Sequence, residues 1–197
     1  MAKYKIHPIV MGTKVFDKSM MTYQYGNGEA YTIPIYCWYI EGGDQCILID
    51  TGEMRPIQSE AREKAIGGKI YTFEEGLAKF GKKPEDIDII IHTHLHNDHC
   101  ENDEKCTNAK IYVHQKEMAH INNPLPLDYR YNDDFIYEVE ERGQIIELEG
   151  DAEIVPGITV KHTPAHTEGG LTVFIESEKG KIAITGFCII NENLNPP

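Results

Sequence analysis

Three histidines and an aspartate fall within six positions of this chain, in the order His94-Leu-His96-Asn-Asp98-His99, shortly after the apolar run 87–91. Such a run is typical of a buried strand, whose carboxyl end is where polar side chains reach a cleft. His94 and His96 are two residues apart and project to the same side of an extended chain, and Asp98 and His99 follow in the turn. Imidazole and carboxylate ligands without a thiolate suit Zn²⁺ or another first-row divalent ion. The cluster therefore predicts a metal site.

Two further segments carry a ligand-type side chain next to a turn. His166 lies in Thr163-Pro-Ala-His-Thr-Glu-Gly-Gly170, after a strand-like run, where it can point back into a shared site. Taken alone, His166 is equally consistent with a solvated loop residue. Asp50 follows the apolar run 47–49 in Asp50-Thr-Gly52. Asp50 is either a turn residue or the acceptor of a hydrogen bond that orients a ligating imidazole.

Apolar and β-branched runs separated by turn residues predict strands at 4–10, 33–40, 46–49, 87–91, 110–114, 159–163, 171–175 and 181–185. A first helix is expected from Pro56 to Gly67, a second from the capping box at Thr72 to Gly81, and a third over 115–122. Segment 123–143, rich in proline and aromatic residues, reads as an irregular surface insertion or as a substrate-facing loop. This order predicts one layered α/β or α+β domain over residues 1–197.

The charge of the chain limits its possible binding partners, and its cysteines indicate the cellular compartment. The chain has 19 basic and 32 acidic residues, a net charge of −13 and a pI near 5.1, which argues against a nucleic-acid partner. No apolar run approaches the roughly 18 residues of a membrane span. The cysteines are odd in number and scattered, which favours reduced thiols and a cytoplasmic location. They are Cys37, Cys46, Cys100, Cys106 and Cys188.

The three motifs, in this order, resemble those of the metallo-β-lactamase-fold hydrolase superfamily. They are Asp50-Thr-Gly52, Thr93-His94-x-His96-x-Asp98-His99 and Thr163-Pro-x-His166-Thr, and together they span most of the chain. A narrower resemblance, to the branch of N-acyl-homoserine lactone lactonases, uses Asp17-Lys-Ser19 and Glu192-Asn-Leu194. The superfamily resemblance implies a four-layer αβ/βα sandwich with a metal site at one edge of the paired sheets.

The resemblance also implies a ligand set and a reaction. His94, His96 and His166 would hold a first ion, and Asp98 and His99 a second, with Zn²⁺ expected and Fe or Mn as alternatives. A metal-activated hydroxide would attack an ester-type carbonyl, and Asp98 would steer the hydroxide or protonate the leaving group. The implied function is a metal-dependent hydrolase of a small ester, most specifically a lactone. A glyoxalase II-like thioesterase, a phosphodiesterase and a catalytically silent metal-binding domain stay open.

Two departures from the superfamily pattern affect the second ion. Phe187 stands where the superfamily places a bridging aspartate, and the adjacent Cys188 is either a substitute ligand or a small core residue. No histidine follows Cys188 to complete the second site. The expected sandwich therefore lacks part of its C-terminal half, either because the sequence is a fragment or because that half is reduced. An apolar sheet face left bare in this way would be covered by homo-oligomerisation.

Overall fold

Two β-sheets lie face to face in the computed structural model, which describes residues 3–23, 25–187 and 189–195. Six strands form the first sheet in the order β1 to β6, with β1 to β3 antiparallel and β3 to β6 parallel. Their bounds are β1 Lys5–Asp17, β2 Ala30–Glu41, β3 Ile47–Ile49, β4 Ile89–Ile91, β5 Lys110–His114 and β6 Ile145–Leu148.

The second sheet has four antiparallel strands in the order β10-β9-β8-β7. Their bounds are β7 Ala152–Val155, β8 Ile158–His162, β9 Leu171–Ser177 and β10 Gly180–Ile184. Alternate side chains of β8 and β9, among them Val160 and Val173, pack against the first sheet. This packing forms one of the two hydrophobic cores.

The helices are α1 Glu60–Ile66, α2 Phe73–Ala78, α3 Asn97–Cys100, α4 Gln115–Asn122, α5 Tyr137–Glu141 and α6 Asn191–Leu194. Helices α2 to α5 contribute side chains to the other core, on the opposite side of the six-stranded sheet. Phe73 and Leu77 of α2 and Met118 of α4 are buried against this side of the sheet. The helical layer and the two sheets account for three layers of the predicted sandwich.

Burial on both sides explains why the central strands are uninterrupted apolar runs. All residues of β3 and β4, Ile-Leu-Ile and Ile-Ile-Ile, are buried. Leu48 and Ile90 contribute to the core under the helices, whereas their neighbours in each strand contribute to the core between the sheets. Parallel strands covered on both faces carry such runs, and polar residues resume where each strand ends. Asp50 and His92 are the first of these polar residues.

The structure corrects several predicted boundaries. Helix α1 begins after Ser59, which caps it by accepting from the Arg62 amide, and not at Pro56. Strand β1 extends to Asp17 because it pairs with β2 along its full length. Strands β6 and β7 were not predicted, since their mixed sequences lack a clean alternation. Segment 123–143 is not wholly irregular, because α5 lies within it.

Other predictions are confirmed, including α4 over its whole length and the capping box of Thr72 and Glu75 at α2. Four cysteines are free and buried, as expected of reduced thiols, whereas Cys188 lies outside the described residues. Within the described parts of the chain, no helix combines the length and the apolarity needed to cross a membrane. The single-domain boundary, the cytoplasmic location and homo-oligomerisation stay predictions.

The close approach of β1 to the turn after β3 predicts a strict need for glycine at position 52. Gly52 has a φ of 72°, and an added Cβ would lie 2.3 Å from Cβ of the buried Met11. Gly67, at the end of α1, has a φ of 65° with nothing within 4 Å. Gly67→Ala should cost about 1–2 kcal/mol for the left-handed backbone alone, whereas Gly52→Ala should cost about 1–3 kcal/mol more from overpacking.

Urea denaturation of both variants measures this difference in the free energy of unfolding. If both variants lose the same free energy of unfolding, the contact with Met11 is not the reason that position 52 requires glycine.

Candidate metal centre

His94, His96 and His166 converge at one edge of the paired sheets. One ligand-type nitrogen from each ring lies within 4.8 Å of the other two, and within the described residues this is the one such group of histidine, cysteine or acidic side chains. His94 and His96 follow β4, and His166 lies between β8 and β9. The Leu171 amide donates to the Thr93 carbonyl (2.8 Å) and thereby joins the two sheets beside the ligands.

The three imidazoles are neutral and therefore have a lone pair to offer. Burial, reinforced by neighbouring positive charges, lowers the pKa of His96 to about 3 and that of His166 to about 4. Burial also holds the pKa of His94 well below its usual range. Metal binding requires the deprotonated imidazole, so at neutral pH no proton has to be displaced from these rings.

The separation of the ring nitrogens fits a divalent cation. Nδ1 of His96 lies 3.0 Å from Nε2 of His166. Tetrahedral Zn²⁺ with Zn–N bonds of about 2.0–2.1 Å places neighbouring ligand atoms about 3.3 Å apart. The other nitrogen of His96, Nε2, is buried without a hydrogen-bond partner. These residues therefore fit the metal that the ligand types predict.

Asp50 orients the histidines through a chain of hydrogen bonds. Its Oδ2 accepts from His99 Nδ1 and from the Thr93 hydroxyl, both at 2.7 Å. Because the Thr93 proton is used in this way, His94 Nδ1 must donate to the Thr93 oxygen, 3.1 Å away. Nε2 of His94 is then the atom left with a lone pair. Asp50 thus has the orienting contact expected of it, directly for His99 and through Thr93 for His94.

The two residues expected at a second ion lie beside this group but outside it. The His99 ring centroid is 4.0 Å from that of His94. Burial lowers the pKa of His99, but the Asp50 carboxylate outweighs burial and raises it. Asp98 is half-buried at the start of α3. In the described residues, the second ion therefore has two candidate ligands where the first has three.

Phe187 occupies the sequence position at which the superfamily pattern has a carboxylate. Its ring stacks on the His166 imidazole, with centroids 3.7 Å apart and planes inclined by 15°. Phe187 therefore buttresses a candidate ligand and cannot be one. The predicted ligand Cys188 lies outside the described residues.

A buried ion pair beneath the ligands was not anticipated from the sequence. His92 Nε2 lies 2.6 Å from Oδ2 of Asp103, and both side chains are fully buried. Although burial lowers the pKa of His92, the carboxylates of Asp103 and Asp50 raise it. The hydroxyl of Thr51 donates to Asp103 at 2.7 Å, so the pair also fixes the turn after β3. His92 belongs to the same sequence cluster as the candidate ligands, and its spacing does not show that it forms an ion pair instead of binding a metal.

A second buried carboxylate, Glu117 of α4, was also missed. Its Oε2 accepts from the Leu95 amide (2.9 Å) and the Tyr131 hydroxyl (3.0 Å), and its Oε1 accepts from the Gly169 amide (2.9 Å). Leu95 separates two candidate ligands, and Gly169 follows the third, so Glu117 joins the two ligand-bearing loops. The signal was available, because Glu117 shares the stripe of α4 with the buried Met118 and Ile121.

Comparison with known proteins identifies the family. The sequence profile of the metallo-beta-lactamase superfamily matches residues 30–186. This chain belongs to that superfamily, and the predicted fold class and the predicted class of enzyme, a metal-dependent hydrolase, are confirmed.

The relatives agree with the narrower resemblance. An N-acyl homoserine lactonase from Bacillus sp. is 29% identical over 92% of this chain and 74% of its own length. A second, from Bacillus cereus, is 27% identical over 91% of this chain and 73% of its own length. The solved structure of an N-acyl homoserine lactone hydrolase with the product N-hexanoyl-L-homoserine at its catalytic metal centre has a TM-score of 0.74 and 26% identity. It is matched over 94% of this chain and 75% of that one.

Binding of Zn²⁺ is expected to stabilise the protein through the three-histidine group. At a free concentration 100 times the dissociation constant, binding to the folded state adds about 2.7 kcal/mol, which for this size corresponds to a rise in Tm of about 5–10 °C. Thermal unfolding with and without Zn²⁺ should show this rise in the wild type and in the His7→Ala control, whose ring contacts Tyr39 and Phe80 instead. A rise that persists in His166→Ala would contradict the assignment.

Removing the charge of Glu117 should loosen both ligand loops. In Glu117→Gln, the side-chain NH₂ would replace one carboxylate oxygen and face the backbone N–H of Leu95 or of Gly169, so we expect the free energy of unfolding to fall by about 3 kcal/mol. Glu101→Gln is the matched control, because half-buried Glu101 accepts from the Met54 amide and glutamine can do the same. Chemical denaturation of the metal-free variants gives both values, and similar values would show that Glu117 does not join the loops.

Proposed function

We propose that this chain hydrolyses a lactone, an N-acyl homoserine lactone being the class its relatives favour, with a divalent cation bound by His94, His96 and His166. The observation that carries the proposal is the convergence of these three neutral imidazoles from two different sheets. The relatives supply the substrate class, because the matched lactonases and the product-bound structure are named for lactone ring opening. Zn²⁺ is the ion proposed, since its tetrahedral nitrogen geometry suits the site.

The chain's own groups would divide the reaction among them. A bound divalent cation supplies an activated water near neutral pH and polarises the ester carbonyl. The three histidines would hold the cation, and Asp50 with Thr93 keeps His94 in the tautomer that leaves a lone pair on Nε2. Asp98, half-buried on α3 between His96 and His99, is proposed to orient the attacking water and to return a proton to the alkoxide released when the ring opens.

A second ion would rest on Asp98 and His99. His99 donates its Nδ1 proton to Asp50, which directs its other nitrogen away from that carboxylate. The ring of His99 lies against that of His94, so a second cation would be a close neighbour of the first. We propose occupation of this second position to be weaker than that of the first.

The charge around the site argues for an ester over a phosphodiester. The positive charge of Arg130 helps to lower the pKa of His96 and of His166. Its guanidinium, however, already donates to both oxygens of Asp128. A phosphate ester is ordinarily held by a guanidinium free to bind it in a two-pronged fashion. A lactone needs no such clamp, because its carbonyl is uncharged.

The decisive experiment compares three substrate classes on the same zinc-loaded protein. Ring opening of an N-acyl homoserine lactone is expected, with a chelator abolishing it and added Zn²⁺ restoring it. Asp98→Asn should lower kcat by about 10²–10⁴-fold if Asp98 transfers the proton, whereas Glu178→Gln, at an exposed position, should be unaffected. Thioester or phosphodiester hydrolysis that exceeds lactone hydrolysis would replace the proposed substrate. Tight zinc binding without turnover of any class would make this a silent metal-binding domain.

A further inference from the structure

The segment between α4 and α5 reaches the metal centre at two anchored points. The Asn97 amide donates to the Arg130 carbonyl (2.9 Å), so the segment is tied to the residue between His96 and Asp98. Tyr131 packs edge-on against the His96 ring, with centroids 4.8 Å apart, and its hydroxyl donates to Glu117. The loop therefore lies against His96 along part of its length and is not a free surface insertion there.

Asp128, two residues before Arg130, has its carboxylate beside Nε2 of His96. His96 points Nδ1 at His166, so its Nε2 is directed away from the three-histidine group. Oδ2 of Asp128 is 3.5 Å from that Nε2, which is otherwise buried without a hydrogen-bond partner. Leaving a buried ring N–H without an acceptor is unfavourable, because the lost hydrogen bond to water is not replaced. Asp128 is thus the acceptor available to His96 once Nδ1 is committed to a cation.

Arg130 fixes the carboxylate in place. Its Nε and one terminal nitrogen donate to the two oxygens of Asp128 at 2.6 and 2.8 Å, a two-pronged contact that sets the plane of the carboxylate. These hydrogen bonds are the main reason that the pKa of Asp128 lies below its usual range. The side chain of Asp128 is only 18% exposed, so its charge acts on His96 with little screening by solvent.

We propose that Asp128, held by Arg130, is the positioning residue for His96: it accepts the Nε2 proton of the ring and so directs the Nδ1 lone pair to the cation. Metal-ligating histidines generally donate their other ring N–H to such a partner, which fixes the tautomer and makes the ligand more basic. The contact is long at 3.5 Å and is expected to shorten when the cation is bound. This inference rests on the metal centre of the proposed function, but not on the substrate.

The test is the zinc affinity of purified protein, measured by competition with a chromophoric chelator. Asp128→Asn preserves size but removes the charge, and Arg130→Gln releases the carboxylate while leaving the backbone anchor in place. Both should weaken Zn²⁺ binding, by about 10–100-fold for Asp128→Asn, the usual cost of losing such a partner. Asp134→Asn, an exposed carboxylate of the same segment, is the matched control and should bind Zn²⁺ like the wild type.

A spectroscopic readout separates positioning from a purely structural role of the loop. In the zinc-loaded wild type, the Nε2–H proton of His96 should appear as a slowly exchanging, downfield imidazole resonance in ¹H–¹⁵N NMR spectra. It should shift or vanish in Asp128→Asn and in Arg130→Gln and stay in Asp134→Asn. Chemical denaturation of the metal-free variants shows whether folding has changed. If Asp128→Asn does not fold, Arg130→Gln alone decides.

The outcomes also separate this inference from the proposed function. Wild-type zinc affinity and an unchanged His96 resonance in both variants would overturn the role of Asp128, even if lactone hydrolysis is found. Weakened affinity in both variants, together with an absence of lactone turnover in the wild type, would uphold the role of Asp128 and overturn the substrate. A wild-type protein that binds no zinc would overturn both.

Discussion

The site depends on the hydrogen bonds that the buried carboxylate of Asp50 accepts. Asp50 has a φ of 56°, a backbone region that L-residues other than asparagine and aspartate rarely adopt. It is held there by the Thr93 amide and hydroxyl and by His99, all within 2.8 Å. Burial raises the pKa of Asp50, but the positive charges and hydrogen bonds of His99 and His92 outweigh this and keep it ionised. The Asp50 carboxylate therefore holds both the turn after β3 and the rings of His94 and His99 after β4.

Convergence of the ligands follows from the topology of the two sheets. His94 and His96 leave the carboxyl end of a parallel strand, whereas His166 lies in a turn of the antiparallel sheet packed beneath it. The hydrogen bond from the Leu171 amide to the Thr93 carbonyl joins the two sheets beside these loops, and Glu117 of α4 adds a second constraint because it binds an amide of each loop. The cost of burying this carboxylate is offset by three donors, which is the usual condition for an unprotonated acid in a core.

Short-range pattern predicted the parts of the fold that local rules govern. The strand 110–114, the helix that follows it and the capping box at Thr72 depend on residues a few positions apart, and each is where the sequence indicated. Strands β6 and β7 have mixed sequences without a regular alternation of apolar and polar residues. They form because they pair with β5 and β8, so their own sequences do not predict them. The start of α1 was misplaced because Pro56 is a generic helix opener, whereas Ser59 provides the hydrogen bond.

The candidate site also contains residues that the sequence predicts and residues that only the tertiary structure reveals. The spacing of His94, His96 and Asp98 could be recognised because three ligand-type residues in one strand-to-turn segment seldom occur by chance. The supporting residues Glu117, Asp128 and Asp103 lie on other segments, and only tertiary packing brings them to the imidazoles. Carboxylates are common in a chain with 32 acidic residues, so composition did not single out Asp103 and Asp128, whereas the apolar stripe of α4 could have drawn attention to Glu117. The sequence thus indicated the ligands and one orienting group, Asp50, but not the orienting groups that tertiary packing brings from other segments.

X-ray absorption at the zinc edge, on protein loaded with one Zn²⁺ per chain, tests the three-histidine centre most directly. Three imidazole nitrogens at about 2.0–2.1 Å are expected in the wild type, and His166→Ala should lose one of them. Scattering that fits fewer than three imidazoles, or a spectrum that His166→Ala leaves unchanged, would contradict the convergence of His94, His96 and His166 on one cation.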